Sequence, residues 1–199
     1  MPRLLMRVVL VGVAGVVLTS CGNVTRSPTV VVVGGATITK SAVQHWMTAL
    51  SLSDARERSP HIDESPRQQA LSFLITSHWL VDEARHRGLG VTAGEVGRAL
   101  RAQEGAYATH SEFTDFLKAT RRTVADLWFE LEAELAFIAL HRALERKQAD
   151  PRREARAEFL AEWISRWKAQ TDCRAGYVVD GCRQHLGPVA IEYPISADF

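Results

Sequence analysis

Three cysteines carry the most distinctive chemistry of this chain. Cys21 follows an apolar run near the N-terminus, whereas Cys173 and Cys182 lie close together near the other end. A thiol can be alkylated, oxidised to a disulfide or used as a metal ligand. No Cys-x-x-Cys pair occurs, and no second Cys/His pair has a spacing typical of zinc sites. The pattern therefore favours covalent modification over metal binding.

The first residues, 1–20, predict a signal peptide. Arg3 and Arg7 form a short basic segment, and the uncharged run Val8–Leu18 follows them. As a helix this run would be about 16 Å long, which is too short for the roughly 30 Å core of a bilayer. It has the form of the apolar segment of a secretory signal, so we expect the protein to act outside the cytoplasm.

The sequence Leu18-Thr19-Ser20-Cys21 resembles the lipobox of bacterial lipoproteins. The resemblance implies that a diacylglyceryl group is attached to the Cys21 thiol and that cleavage leaves Cys21 as the N-terminus. Two acyl chains hold a protein stably on a bilayer. We therefore expect residues 21–28 to be a lipidated tether on the outer face of the cell membrane. An ordinary secretory signal with an unmodified cysteine is the alternative.

Lipidation of Cys21 leaves two cysteines in an oxidising compartment. An even number there predicts one disulfide, between Cys173 and Cys182. Closure of this short loop would stabilise the fold by roughly 2.5–3 kcal/mol.

The charge balance gives no reason to expect a nucleic-acid partner. Removal of Arg3 and Arg7 changes the balance from 24 basic and 23 acidic residues to 22 and 23, a net charge of −1. Such a chain has no strong positive field.

Metal and catalytic motifs are weak. His78, Asp82 and His86 recur at four-residue steps and could place ligands on one helix face, but contacts on a solvated face are the favoured interpretation. The segment Gly34–Ser41 lacks the second glycine of a P-loop, and neither Gly-x-Ser-x-Gly nor His-Glu-x-x-His occurs. We assign no catalytic residue, metal or cofactor.

Two β-prone runs, Val30–Val33 and Ala36–Thr39, flank Gly34-Gly35 and predict a small hairpin. A hairpin alone is marginal and needs a further strand or a covering helix. The run Tyr177–Val179 predicts such a strand.

Capping sequences predict the helices. Ser65-Pro66-Arg67-Gln68 and Thr92-Ala93-Gly94-Glu95 are capping boxes, and Gly88 and Gly105 are helix ends. Ser51–Glu64 is polar and predicts a loop. The remaining predicted boundaries are helix starts at Thr39, Thr109 and Thr123, a break at Pro151, and a last helix with Phe159, Trp163 and Trp167.

Several segments, in this order, resemble SurA/PrsA-type extracytoplasmic foldases. Val30–Lys40 is similar to their opening strand, turn and Ile-Thr pair, and Leu71–Leu80 with Glu83–Gly88 is similar to their core helix. Val91–Val96 matches the next helix start. The tail Trp167–Cys182 resembles the closing segment of actinobacterial members.

The resemblance implies a mainly α fold with a small sheet that joins the chain ends. A SurA N-terminal-like domain would span 29–186, completed by the C-terminal helix and strand, and an irregular tail would follow at 187–199. Many family members insert a parvulin-type prolyl isomerase domain of roughly 90 residues. Here Lys147–Pro151 leaves no room for it, so isomerase activity is not carried over.

The resemblance further implies a chaperone that binds unfolded or partly folded exported proteins in an apolar groove between helices. A scaffold lipoprotein with one dedicated partner and a prolyl isomerase relative are the alternatives. Any aromatic residue at helical spacing could instead be core, although Trp79 and Phe137 flank the main apolar stripes of their helices. The expected groove residues are Trp46, Met47, Trp79, Phe116, Trp128, Phe137, Trp163 and Trp167.

Overall fold

The computed structural model describes residues 27–57, 65–147 and 153–189, which form helices and one small sheet. This confirms the predicted fold class. The predicted signal peptide (1–20), Cys21, most of the tether and residues 190–199 lie outside the described residues. The elements are β1 (Thr29–Val33), β2 (Ala36–Thr39), α1 (Lys40–Glu57), α2 (Pro66–His86), α3 (Ala93–Glu104), α4 (His110–Ala119), α5 (Val124–Lys147), α6 (Arg153–Ala169) and β3 (Thr171–Cys173).

The three strands form an antiparallel sheet in the order β2-β1-β3. The predicted hairpin is confirmed, and its turn needs glycine because Gly34 has a φ of 54°. In the central strand, Val31 pairs with Ile38 on one side and with Cys173 on the other. The sheet therefore joins the N-terminal hairpin to the C-terminal segment, as the resemblance implied.

The prediction of a strand at Tyr177–Val179 is wrong, because the third strand is β3, which precedes it. The Cys173–Cys182 disulfide, with a Cα–Cα distance of 5.8 Å, closes a loop around this segment. Because the two ends of the loop are held together, the chain must turn inside it. The Tyr177 N–H accordingly bonds back to the Arg174 carbonyl oxygen at 3.0 Å, and not across to a neighbouring strand.

The prediction of a loop over Ser51–Glu64 is wrong for its first half, because α1 continues to Glu57. The polar stretch that continues α1 satisfies the hydroxyl of Ser51 within the helix. Ser51 Oγ donates to the Met47 carbonyl oxygen at 2.6 Å, one turn earlier in the same helix. Polar composition identifies an exposed segment, but it does not distinguish an exposed helix from a loop.

The predicted helix boundaries are set by local capping bonds. Ser65 Oγ accepts from the Gln68 N–H at 3.3 Å, and Gln68 Oε1 accepts from the Ser65 N–H at 3.0 Å. Thr92 and Glu95 form the same reciprocal pair at the start of α3. Gly88 has a φ of 70° just beyond the end of α2. These bonds confirm the predicted starts of α2 and α3 and the predicted end of α2.

Two apolar cores are linked by α5. The main core contains the sheet, α1, α2, α6 and the second half of α5. The second core is formed by Phe113, Leu117 and Leu127, on α4 and the first turn of α5. Because α5 has 24 residues, it is about 36 Å long and reaches both. In the described ranges no helix is sufficiently long and apolar to span a bilayer.

The disulfide-closed loop packs closely on α2 at Gly181. A Cβ built on Gly181 would lie 2.9 Å from Ile75 Cγ2 and 3.4 Å from two atoms of the Trp79 ring. Both neighbours are almost fully buried, at 1 % exposure each, so neither can move without disturbing the core.

We expect Gly181→Ala to lower the free energy of unfolding by about 1–3 kcal/mol, because the added methyl group overpacks a rigid site. The matched control is Gly35→Ala, where a Cβ meets nothing within 4 Å, and a change below about 0.5 kcal/mol is expected there. Urea unfolding of both variants measures the difference. Equal stability of the two variants would contradict this account of the loop.

Candidate functional site

An apolar pocket opens between the end of α2, the end of α5 and α6. Its volume is about 310 Å³, at the lower end of the size range of ligand pockets in proteins. Among the six lining side chains only one is charged. The pocket can therefore hold an apolar side chain of a partner. Its described lining consists of Arg87, Leu89, Leu140, Ala143, Leu144 and Phe159.

Arg87 forms the polar edge of this pocket and is held from two sides. Its guanidinium carbon lies 4.0 Å from the centroid of the Phe159 ring, a cation–π geometry that joins α2 to α6. Its Nε donates to the carboxylate of Glu83, one helical turn earlier. The position of the Arg87 side chain, and with it the polar edge of the pocket, therefore depends on Glu83.

Glu83 is a fully buried carboxylate, with 0 % exposure. It accepts from Trp167 Nε1 at 2.7 Å and from Arg166 Nη1 at 3.0 and 3.2 Å, in addition to Arg87. Burial alone would raise the pKa of Glu83, but the hydrogen bonds from Trp167 and Arg87 and the two guanidinium charges outweigh it and lower the pKa. The ionised form is thus the stable one in the fold.

Beyond the Glu83 carboxylate, the interface between α2 and α6 consists of aromatic side chains. The Trp79 and Trp163 rings meet edge to face with centroids 6.5 Å apart. Trp79 Nε1 donates to Thr171 Oγ1 at 2.9 Å, and that hydroxyl donates to the Trp167 carbonyl oxygen at 2.8 Å. These contacts place the beginning of β3 beside β1 and so complete the sheet.

Four of the eight expected groove residues are therefore core residues. Their exposed fractions are 4 % for Trp46, 1 % for Trp79, 5 % for Trp163 and 8 % for Trp167. Trp46 packs on Phe73 with ring centroids 4.6 Å apart. The assignment of these four side chains to an exposed groove is wrong, because each one fills a contact between two elements.

The other four expected residues are half-buried and are not gathered in one groove. Met47 and Phe137 border the main core, whereas Phe116 borders the second core. Trp128 lies beside Gly97 of α3 and is about 18 Å along α5 from Leu140. Phe137 lies one turn before the pocket residue Leu140 on the same helix.

The pocket itself was missed by the sequence analysis, although the sequence carries a signal for it. Leu140, Ala143 and Leu144 form an i, i+3, i+4 stripe at the end of α5. Leu89 follows the Gly88 helix end. Short aliphatic side chains at helix ends are a weaker signal for a binding site than tryptophans are, but here they line the cavity.

The possible metal face of α2 is occupied by other contacts. His78 packs against Phe129 with ring centroids 5.4 Å apart, and burial lowers the His78 pKa. Asp82 pairs with Arg85 at 2.7 Å. Throughout the part of the chain that the structure describes, no group of three His, Cys, Asp or Glu side chains could hold a metal ion.

A row of carboxylates on α5 faces α1 and the turn before α5. Glu130 lies 3.1 Å from Arg122, and Asp126 lies 2.9 Å from His45. Burial raises the pKa of Glu130 to about 7, because the loss of hydration outweighs the attraction of Arg122, and the charges of Asp126 and Glu134 add to the increase. This carboxyl titrates near neutral pH.

The fold is a helical module closed by a small sheet, with an apolar pocket between α2, α5 and α6. Residues 3–140, more than half of the chain, match the sequence model of the SurA-like N-terminal domain, and the chain belongs to this chaperone-type family. No curated protein and no solved structure matched the chain. The family match ends within α5, so the pocket combines residues inside it, such as Leu89, with residues beyond it, such as Phe159.

We expect Glu83→Gln to lower the free energy of unfolding by about 3–5 kcal/mol, because Arg87 and Arg166 lose their buried counter-charge. The matched control is Glu162→Gln, which removes an exposed carboxylate from the same Arg166 and should cost less than about 1 kcal/mol. Urea unfolding at pH 7 measures both. Because the Glu83 pKa is lowered in the fold, the difference should shrink as the pH falls below the unfolded value. Equal costs at pH 7 would refute the assigned role of Glu83.

Glu130→Gln should become progressively more stable than the parent protein as the pH rises from 5 to 8. The folded pKa of about 7 is above the unfolded value of 4.5, so the parent loses stability through this window while the glutamine does not. The relative change is up to about 3 kcal/mol. The measurement is the free energy of unfolding across this pH range. The control is Glu158→Gln, at an exposed position, and a Glu130→Gln profile that matches the control would contradict the prediction.

Proposed function

We propose that this protein is a membrane-anchored extracytoplasmic chaperone that binds unfolded exported proteins through the apolar pocket of α2, α5 and α6. The open pocket of about 310 Å³, with five apolar lining residues, is the observation that carries the proposal. Membership of a chaperone-type family supports it.

The pocket suits transient binding. Burial of one Leu or Phe side chain contributes roughly 1.5–3 kcal/mol. A free energy of this size corresponds to a dissociation constant weaker than about 1 mM. A client is therefore held for a short time and by whichever apolar side chain it exposes. Such binding needs no catalytic group, because occupation of an exposed apolar side chain already competes with aggregation.

The lipid anchor is supported by the sequence alone. The short basic segment, the apolar run and Leu18-Thr19-Ser20-Cys21 are typical of a lipoprotein signal. Attachment to a membrane would raise the local concentration of the chaperone where exported chains emerge, and this compensates for a weak pocket.

The direct test is suppression of aggregation. A chemically unfolded client is diluted into buffer with the oxidised chain from Gly22 onward, and light scattering is followed. Because a single pocket binds weakly, suppression is expected at a large molar excess of the chain, close to millimolar concentration. No effect from a folded sample in excess would overturn the proposal and favour a scaffold for one dedicated partner.

Ala143→Phe should abolish most of this suppression, because the aromatic ring fills the pocket from its α5 wall. The matched control is Ala102→Phe, which adds the same ring at an exposed position on α3 and should leave suppression unchanged. Melting temperatures establish that both variants are folded. Full suppression by a folded Ala143→Phe protein would show that clients bind elsewhere.

A further inference from the structure

Two basic side chains flank the point at which the tether enters the fold. Lys40 follows the hairpin, and its N–H donates to the Pro28 carbonyl oxygen at 2.9 Å. Arg174 lies on the other side, where its N–H bonds to the Val30 carbonyl oxygen at 2.9 Å and its Nη1 approaches the Thr29 carbonyl oxygen at 3.4 Å.

A third basic side chain comes from the start of α2. The Arg67 guanidinium carbon lies 5.7 Å from the centroid of the Tyr177 ring, and the Tyr177 N–H bonds to the Arg174 carbonyl oxygen. The opposite end of α2 lies near the hairpin turn, since a Cβ on Gly34 would be 3.9 Å from Asp82. The start of α2 is thus at the tether end of the sheet.

These three side chains, which we call the basic end, are exposed. In the ranges that the structure covers, none of them has a carboxylate within salt-bridge distance. Two carboxylates of the neighbouring C-terminal segment already have partners: Asp172 lies 2.9 Å from Arg183, and Asp180 lies 3.4 Å from His185. Each of the three side chains of the basic end carries a positive charge, on a chain whose formal net charge is +1.

We infer that the basic end, formed by Lys40, Arg67 and Arg174, is the surface that faces the membrane and binds anionic lipid headgroups. The inference rests on the proposed lipidation of Cys21. The seven residues from Cys21 to Ser27 can span at most about 25 Å, which keeps this end of the fold near the bilayer. Basic residues gain most from an anionic surface within about one Debye length.

This orientation places the pocket away from the membrane. Arg67 is in the first turn of α2, and Arg87 follows its last residue. Twenty residues of helix correspond to about 30 Å. The bilayer would lie at one end of α2, and the opening that receives a client would lie at the other.

The test is co-sedimentation with vesicles, using the oxidised, unlipidated chain from Gly22 onward, which retains every described residue. Vesicles contain phosphatidylcholine alone or with phosphatidylglycerol. We expect binding to the anionic vesicles only, weakened by added salt. The triple variant K40Q/R67Q/R174Q should lose about fivefold in partitioning per charge, on the order of a hundredfold in total.

The matched control is R98Q/R101Q/R121Q, which removes the same charge from three exposed arginines of α3 and the turn before α5. It should retain most of the binding. An equal loss in both triple variants, or no binding of the parent chain to anionic vesicles, would overturn the inference. Suppression of client aggregation by K40Q/R67Q/R174Q is measured in parallel, so a failure of the basic end is distinguished from a failure of the proposed function.

Discussion

The structure depends on one buried carboxylate. Glu83 is ionised, has no exposed surface and is satisfied by donors from Arg87, Arg166 and Trp167. Removal of an ion from water is offset only when several such partners converge on it. Because Arg166 and Trp167 belong to α6, that helix must dock on α2 in one register. A shift of one residue would leave the carboxylate without its donors. The polar contact therefore fixes the register of α6 on α2, which apolar packing alone would allow to vary.

The docking of α6 has consequences on both sides of the carboxylate. Towards the sheet, it brings Thr171 under Trp79 and delivers β3 to the edge of β1. Towards the end of α5, it brings Phe159 under Arg87 and creates the pocket. The matched family segment ends within α5, and the helix and strand beyond it supply Phe159 of the pocket and the third strand of the sheet. The sheet and the pocket are two results of the same contact.

Helix ends that are set by local capping bonds are predictable from the sequence, whereas the exposure of a side chain that a distant element covers is not. Ser65 and Gly88 determine helix ends through bonds within a few residues, so their roles are visible in the sequence. Whether Trp79 is exposed depends on α6, which follows more than eighty residues later. The apolar stripe of α2 does not show which element covers a side chain beside it. Tyr177–Val179 has strand-forming residues, but within the disulfide-closed loop the Tyr177 N–H bonds back to the Arg174 carbonyl oxygen and not to a strand. The cavity was not predicted because its shape depends on how three helices pack against one another, which the sequence of a single helix does not show.

A pocket for a single apolar side chain sets limits on how the protein can work. An interaction of a few kcal/mol cannot by itself capture clients from dilute solution, so a high local concentration has to supply the remainder. The proposed lipid anchor would provide that concentration, and it would also confine the fold to within about 25 Å of the bilayer. In the orientation that we infer, with the basic end against the headgroups, α2 would act as a spacer of about 30 Å. The pocket would then open towards the space that emerging chains enter, and the weak binding that we propose would let each chain leave again once its apolar side chains are buried.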